Sequence, residues 1–123
     1  MKNKKLINSF KYAFKGIGSS LKSERNMKIH FAMMVLVIMA GILLNISMWE
    51  WIICFILFGL VISLEMVNTA IEIVVDMVSP EYNLKAGHVK DIAAGAVLVN
   101  AIVAFIVGLL IFLPKIIRIF IKF

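Results

Sequence analysis

The stretch SLEMVNTAIEIVVDMVSP, residues 63–80, places carboxylate and amide side chains directly after a run of apolar residues. On a helix these polar side chains share one stripe about 100° wide, here called the acidic stripe: Glu65, Asn68, Thr69, Glu72 and Asp76. Clustered carboxylates repel one another unless a proton or a cation joins them. A charged stripe that merely faces solvent is the alternative. Ionisable groups at a membrane edge usually belong to a functional site, so the stripe predicts proton or cation chemistry.

Further polar residues converge on the same edge. Glu24 precedes the first apolar run of the chain, and Lys90 and Asp91 precede the third. Mg²⁺ usually takes one or two carboxylates together with substrate phosphates, and a lysine binds phosphate. Glu65 lies nearest the apolar run, where a base could accept the proton of a membrane alcohol. The set therefore predicts phosphoryl transfer from a nucleotide to a lipid alcohol.

Known nucleotide-binding motifs do not account for this chemistry. The chain contains no G-x-x-x-x-G-K-[ST], no H-R-D and no D-F-G. These absences exclude the P-loop fold and the protein-kinase fold.

The composition predicts a membrane protein. Of the 123 residues, 63% are hydrophobic, and the mean hydropathy is +1.03. A soluble domain of this size could not bury so much apolar surface. Eight of the 13 Lys and Arg residues lie in residues 1–30, beside one acid. A basic segment joined to a membrane core predicts contact with anionic lipid headgroups rather than with nucleic acid.

Apolar runs predict one all-α membrane domain, residues 1–123, with three transmembrane helices. The expected spans are about 29–47, 49–66 and 91–113, and the second helix should continue to 78 until Ser79-Pro80 ends it. Trp49 and Trp51 are expected to anchor the second span at the interface. The excess of positive residues at the N-terminus places that end in the cytoplasm.

Two other helix faces stand out. Residues of about 4–22 predict an amphipathic surface helix, whose apolar face comprises Leu6, Phe10, Phe14, Ile17 and Leu21. On the third span, small residues form a line that predicts close helix packing: Ala94, Ala101, Ala104 and Gly108.

The wording EMVNTAIEIVVD, residues 65–76, followed by SPEYN and KDIAAGAVLV, closely resembles the small integral-membrane prokaryotic diacylglycerol kinase family. The resemblance extends from FKYAFKGI, residues 10–17, to about Val103. ERN followed by His30, and KAGHVKDIAAGAVLV, look like the Gram-positive branch, whose members phosphorylate undecaprenol. Gram-negative members have a carboxylate where His30 stands, so diacylglycerol remains the alternative substrate.

The resemblance implies ATP as phosphoryl donor, Mg²⁺ as cofactor, and a homotrimer with shared active sites in the bacterial inner or plasma membrane. Glu65 matches the general base, Glu24 and Glu72 match the metal-binding carboxylates, and Asn68 joins Glu65 at the lipid substrate. Nucleotide binding is expected at a larger set: Tyr12, Glu24, Glu72, Asp76, Glu81, Tyr82, Asn83, Lys90 and Asp91.

Two functions from other classes fit part of the pattern. A small proton-coupled transporter also uses few helices and a membrane Glu, but it would require a charge in mid-span, and residues 31–49 have none. A structural membrane protein with a solvated helix end would not require Glu24, Lys90 and Asp91 to converge.

Overall fold

Four helices make up the computed structural model, which describes residues 2–122 and the side chains of residues 3–122. They are α1 (Lys2–Ser23), α2 (Arg25–Leu43), α3 (Met48–Val78) and α4 (Leu84–Ile121). The all-helical prediction is confirmed, and the described range contains no strand. The predicted domain, 1–123, also includes Met1 and Phe123, which lie outside the described residues.

Helices α2, α3 and α4 are each long and apolar enough to cross a membrane. Large apolar side chains remain exposed along them, among them Phe105 at 67% and Leu110 at 71%. Such exposure is unfavourable in water and neutral in lipid, which fits three membrane spans.

The connection between α2 and α3 is a tight turn. Helix α2 ends at Leu43, and Asn45 adopts a φ of 51°, which a helix cannot continue through. Ser47 then caps α3: its hydroxyl accepts from the Glu50 N–H at 3.2 Å, and the Glu50 carboxylate accepts from the Ser47 N–H at 2.9 Å. The expected first span, 29–47, therefore extends too far, because the apolar residues Leu44 and Ile46 belong to the turn.

Helix α3 runs without a break through the acidic stripe. Its 31 residues correspond to a length of about 46 Å at 1.5 Å per residue. A hydrocarbon core is about 30 Å thick, so one end of α3 projects beyond it. Helix α4 is also longer than the expected span 91–113, and it continues through Pro114 to Ile121. Membrane helices tolerate such prolines.

Two ion pairs show the antiparallel register of α3 and α4. Lys90 Nζ lies 2.6 Å from Asp76 Oδ1 at one end, and Lys115 Nζ lies 3.0 Å from Glu50 Oε2 at the other. The Glu50–Lys115 pair places the C-terminal part of α4 beside the α2–α3 turn. It therefore lies at the end of the bundle opposite the α3–α4 loop.

The buried apolar cluster also lies near the α2–α3 turn, where Ile46, Cys54 and Ile111 meet. Trp51 is half-buried against this cluster and stacks on Phe55, with ring centroids 6.0 Å apart. Its ring leaves no room for a side chain at Gly41. Trp51 therefore packs partly on the bundle, whereas Trp49 is 76% exposed. That the two tryptophans anchor the second span at the interface stays a prediction.

Helix α1 packs against α2 and α3. Ile17 and Leu21 are half-buried, whereas Leu6, Phe10 and Phe14 are between 59% and 69% exposed. Most of the expected apolar face of α1 is thus uncovered in this chain.

The line of small residues on α4 does not bring helices into close contact within the chain. Ala101, Ala104 and Gly108 line a cavity, and Ala94 is exposed. A Cβ placed on Gly108 would meet no heavy atom within 4 Å. The small side chains leave space between the helices instead of closing it.

Candidate active site

Glu65 is the most deeply buried carboxylate of the acidic stripe, with 1% of its surface exposed. Asn68 and Thr69 beside it are also buried, and the Thr69 hydroxyl donates to the Glu65 carbonyl at 3.0 Å. Neither Glu65 Oε2 nor Asn68 Oδ1 has a hydrogen-bond partner in the part of the chain that the structure describes. Burying such groups without a partner is costly, which indicates that another molecule completes this environment.

His30 of α2 faces the Glu65 carboxylate, with 3.5 Å between His30 Nε2 and Glu65 Oε2. The sequence placed His30 in the family motif and left open whether it takes part in the site. The missing information was the register of α2 on α3, because His30 lies in a different helix and 35 residues away.

An apolar cavity of about 370 Å³ opens between α2, α3 and α4. Methionine, aliphatic and aromatic side chains form most of its wall, including Met33, Phe58 and Phe105. On α3 the wall runs from Cys54 to Ile62, one turn before Glu65. His30 also lines the cavity and touches Glu65, so the polar end of the cavity meets the buried carboxylate.

Of the two expected metal carboxylates, Glu72 lies in the outer part of the acidic stripe and Glu24 lies just before α2. Glu72 is half-buried two turns beyond Glu65 on the same face of α3, about 10 Å further along the axis. Glu24 precedes α2 by one residue, and its side chain does not cap that helix. Since His30 faces Glu65, antiparallel packing of α2 and α3 places Glu24, six residues before His30, near the level of Glu72.

Glu24 and Glu72 are oxygen donors of the kind that Mg²⁺ prefers, and the ion would take its other ligands from phosphates and water. Among the described residues, no group of three or more His, Cys, Asp or Glu side chains converges as a complete metal site. Mg²⁺ commonly binds through one or two carboxylates plus substrate phosphates, so two carboxylates suffice.

Lys90 lies at the outermost level of the stripe. Its ammonium group donates to Asp76 at 2.6 Å and is close enough to Glu72 for electrostatic attraction. Asp76 itself is largely exposed, so the stripe is enclosed only at its inner end.

The loop between α3 and α4 holds three of the expected nucleotide residues. Asn83 caps α4 by accepting from the Ala86 N–H at 2.8 Å and donates to the Ser79 hydroxyl at 2.6 Å. Tyr82 is 83% exposed, and its ring edge lies over Gly87. Asn83 thus has a structural role that the sequence did not predict.

The structure brings together only some of the expected nucleotide residues. Asp76 and Lys90 pair directly, and Glu81, Tyr82 and Asn83 share one loop. Tyr12 lies on α1 with 67% of its surface exposed, and Asp91 is exposed on α4. Neither makes a side-chain hydrogen bond to another of these residues within the described chain.

Sequence analysis also missed Asn100. It is the only polar residue of the third apolar run, residues 92–113. Its amide nitrogen, Nδ2, is buried and has no hydrogen-bond partner among residues 2–122. The available signal was its position, because polar side chains within membrane spans are rare and usually functional.

Comparison with known proteins decides the family. A sequence model of prokaryotic diacylglycerol kinase matches residues 11–112, which include every expected site residue from Tyr12 to Asp91. The chain belongs to this family. It is therefore a lipid kinase, and the transporter and structural alternatives do not hold.

Several members of the prokaryotic diacylglycerol kinase family are similar over most of the chain. The undecaprenol kinase of Bacillus subtilis (strain 168) is 44% identical over 111 residues, 90% of each protein. The diacylglycerol kinase of Synechocystis sp. is 42% identical over 110 residues, 89% of this chain and 63% of the relative. The diacylglycerol kinase of Escherichia coli (strain K12) is 28% identical over 102 residues, 83% of this chain and 84% of the relative.

Proposed function

We propose that this lipid kinase transfers the γ-phosphate of ATP to undecaprenol and forms undecaprenyl phosphate. The observation that carries the proposal is a buried carboxylate, Glu65, at the polar end of an apolar cavity. The similarity to an undecaprenol kinase over 90% of both chains favours undecaprenol over diacylglycerol.

Glu65 acts as the general base in this reaction. It accepts the hydroxyl proton of the lipid alcohol while the alcohol oxygen attacks the γ-phosphorus. The bond between the γ-phosphorus and the bridging oxygen breaks, ADP leaves, and the proton remains on Glu65. Asn68, buried one turn away, helps to hold the alcohol, and His30 orients the Glu65 carboxylate through its Nε2 atom.

The nucleotide binds at the outer levels of the stripe. Glu24 and Glu72 would hold Mg²⁺, which neutralises charge on the phosphates when it is bound. Lys90 binds a phosphate oxygen, and releasing it from Asp76 costs little because the pair is exposed. The remaining nucleotide contacts come from residues around this level: Tyr12, Asp76, Glu81, Tyr82, Asn83 and Asp91.

Orientation and assembly complete the proposal. Because ATP is cytoplasmic, the acidic stripe faces the cytoplasm of a bacterial plasma or inner membrane, as does the basic N-terminus. Helix α1 lies at the membrane surface, and its uncovered residues Leu6, Phe10 and Phe14 contact lipid or a neighbouring chain. Three copies form a homotrimer whose neighbours share each site.

A direct substrate comparison tests the function. The purified chain in mixed micelles, supplied with Mg²⁺ and labelled ATP, should phosphorylate undecaprenol with a higher kcat/KM than diacylglycerol. Glu65→Gln should lower turnover by roughly 10²-fold or more, the usual effect of losing an acid–base group. A preference for diacylglycerol would reassign the substrate, and near-normal turnover by Glu65→Gln would remove Glu65 from the role of base.

A further inference from the structure

Asn100 has an unusual environment for an amide side chain. It lies within the apolar part of α4, and its buried Nδ2 finds no acceptor in the described part of the chain. Neither lipid nor apolar side chains can accept its hydrogen bond, so the group is costly unless another molecule supplies an acceptor.

The two ion pairs between α3 and α4 show the level at which Asn100 lies. Glu50 pairs with Lys115, Glu65 lies fifteen residues after Glu50, and Asn100 lies fifteen residues before Lys115. Counting from the other pair, Asp76–Lys90, places Asn100 within one residue of the same level. One residue corresponds to about 1.5 Å of helix rise. Asn100 and Glu65 therefore occupy the same layer of the bundle.

The two residues also lie on facing sides of their helices. On α4, Asn100 is within about 20° of the buried residues Ala93 and Ile111. Its neighbours Ala101 and Ala104 line the apolar cavity. On α3, Glu65 shares the stripe of Glu50 and Asp76, both of which reach lysines of α4.

The unpaired groups of this layer are complementary to a hydroxyl. Asn100 Nδ2 offers a donor that has no hydrogen-bond partner among the described residues. Glu65 Oε2 offers an acceptor, since His30 Nε2 lies 3.5 Å from it without forming a hydrogen bond. An alcohol oxygen accepts one hydrogen bond while its own O–H donates another. A hydroxyl placed between α3 and α4 would therefore satisfy both groups.

We propose that Asn100 binds the reacting hydroxyl of the lipid alcohol, donating from its amide N–H to the oxygen while the hydroxyl donates to Glu65. The inference deepens the proposed function and rests on it. As Glu65 accepts the proton, the alcohol oxygen becomes more negative and the bond from Asn100 strengthens. Asn100 keeps its own protons throughout and positions the oxygen for attack on phosphorus.

The test replaces Asn100 with the apolar, similarly sized leucine. Asn100→Leu should lower kcat/KM for the lipid alcohol between about twofold and tenfold, the usual effect of losing one neutral hydrogen bond. The KM for ATP should stay unchanged, because the expected nucleotide residues lie at the outer levels of the acidic stripe. Asn100→Gln, which retains the amide donor, should restore part of the loss. Val99→Leu is the matched control, since Val99 is exposed at the same depth on the outer side of α4.

Spectroscopy gives a second measurement that does not depend on turnover. In protein labelled with ¹⁵N-asparagine, the Asn100 side-chain signal is identified by its loss in Asn100→Leu. It should shift on addition of farnesol in micelles and should not shift with a hydrocarbon of the same length.

Several results would overturn the inference. One is an unchanged kcat/KM in Asn100→Leu, and another is an equal loss in Val99→Leu. A third is an Asn100 side-chain signal that does not shift when farnesol is added. A raised KM for ATP together with an altered oligomer size would instead make Asn100 a helix-packing residue. If the unaltered chain phosphorylates no lipid alcohol, the proposed function itself fails.

Discussion

Gly108 allows a direct test of whether the apolar cavity holds the lipid tail. It lines the cavity, and a Cβ placed there meets no heavy atom within 4 Å. A larger side chain at this position enters empty space and does not displace a neighbour. We therefore expect Gly108→Phe to fill part of the cavity while the helices keep their packing.

The size of the effect follows from the volume. A cavity of about 150 Å³ takes one benzene, so on the order of fifteen carbons fit the cavity of about 370 Å³. That is roughly three isoprenoid units, and the seven side-chain carbons of phenylalanine would occupy about half of the space. The displaced tail loses little free energy because surrounding lipid is equally apolar.

The main effect of the substitution is therefore on the position of the reacting hydroxyl. If the tail cannot enter fully, the hydroxyl moves away from Glu65, and a misplacement of about 1 Å costs on the order of 10²-fold in rate. Gly108→Phe should lower kcat/KM for the lipid alcohol by about that factor and leave the KM for ATP unchanged.

Steady-state kinetics in mixed micelles measure both constants. Gly59→Phe is the matched control, because Gly59 is also open within 4 Å but is exposed on α3 and does not line the cavity. A Gly108→Phe enzyme whose kcat/KM stays within about threefold of the Gly59→Phe enzyme would show that the tail binds elsewhere.

Three further predictions concern metal, packing and assembly. Glu72→Ala should raise the Mg²⁺ concentration for half-maximal activity, and an unchanged midpoint would exclude Glu72 from the metal. Gly41→Ala should destabilise the fold by about 1–3 kcal/mol, because its Cβ would lie 2.6 Å from the Trp51 ring. Gly59→Ala is the control and should not destabilise the fold; the heat-inactivation rates of the two variants in detergent are compared. Phe10→Gln and Glu65→Gln should each be nearly inactive on their own. If neighbouring chains share a site, oligomers that contain both variants should regain activity, and mixed oligomers without recovered activity would refute a shared site.

The sequence alone determined the features that depend on neighbouring residues along the chain. Lengths of apolar runs indicated three spans, and helical periodicity placed Glu65, Asn68 and Glu72 on one face. The motif from Glu65 to Asp76 identified the family, which the match over residues 11–112 confirms. These features follow from local order, because a helix fixes the relative directions of side chains a few residues apart.

Only the tertiary structure decided which faces of different helices meet. The apposition of His30 and Glu65, the level of Asn100, and the packing of Trp51 on Gly41 all depend on it. The same holds for Ala101, Ala104 and Gly108 of α4, which line a cavity that no pattern in the sequence predicted. A membrane helix is apolar on nearly every face. The periodicity of its sequence therefore does not determine how the helix is rotated about its axis or in which register it packs on a neighbouring helix. Here two lysine–carboxylate contacts, 65 and 14 residues apart in sequence, show the register of α3 and α4.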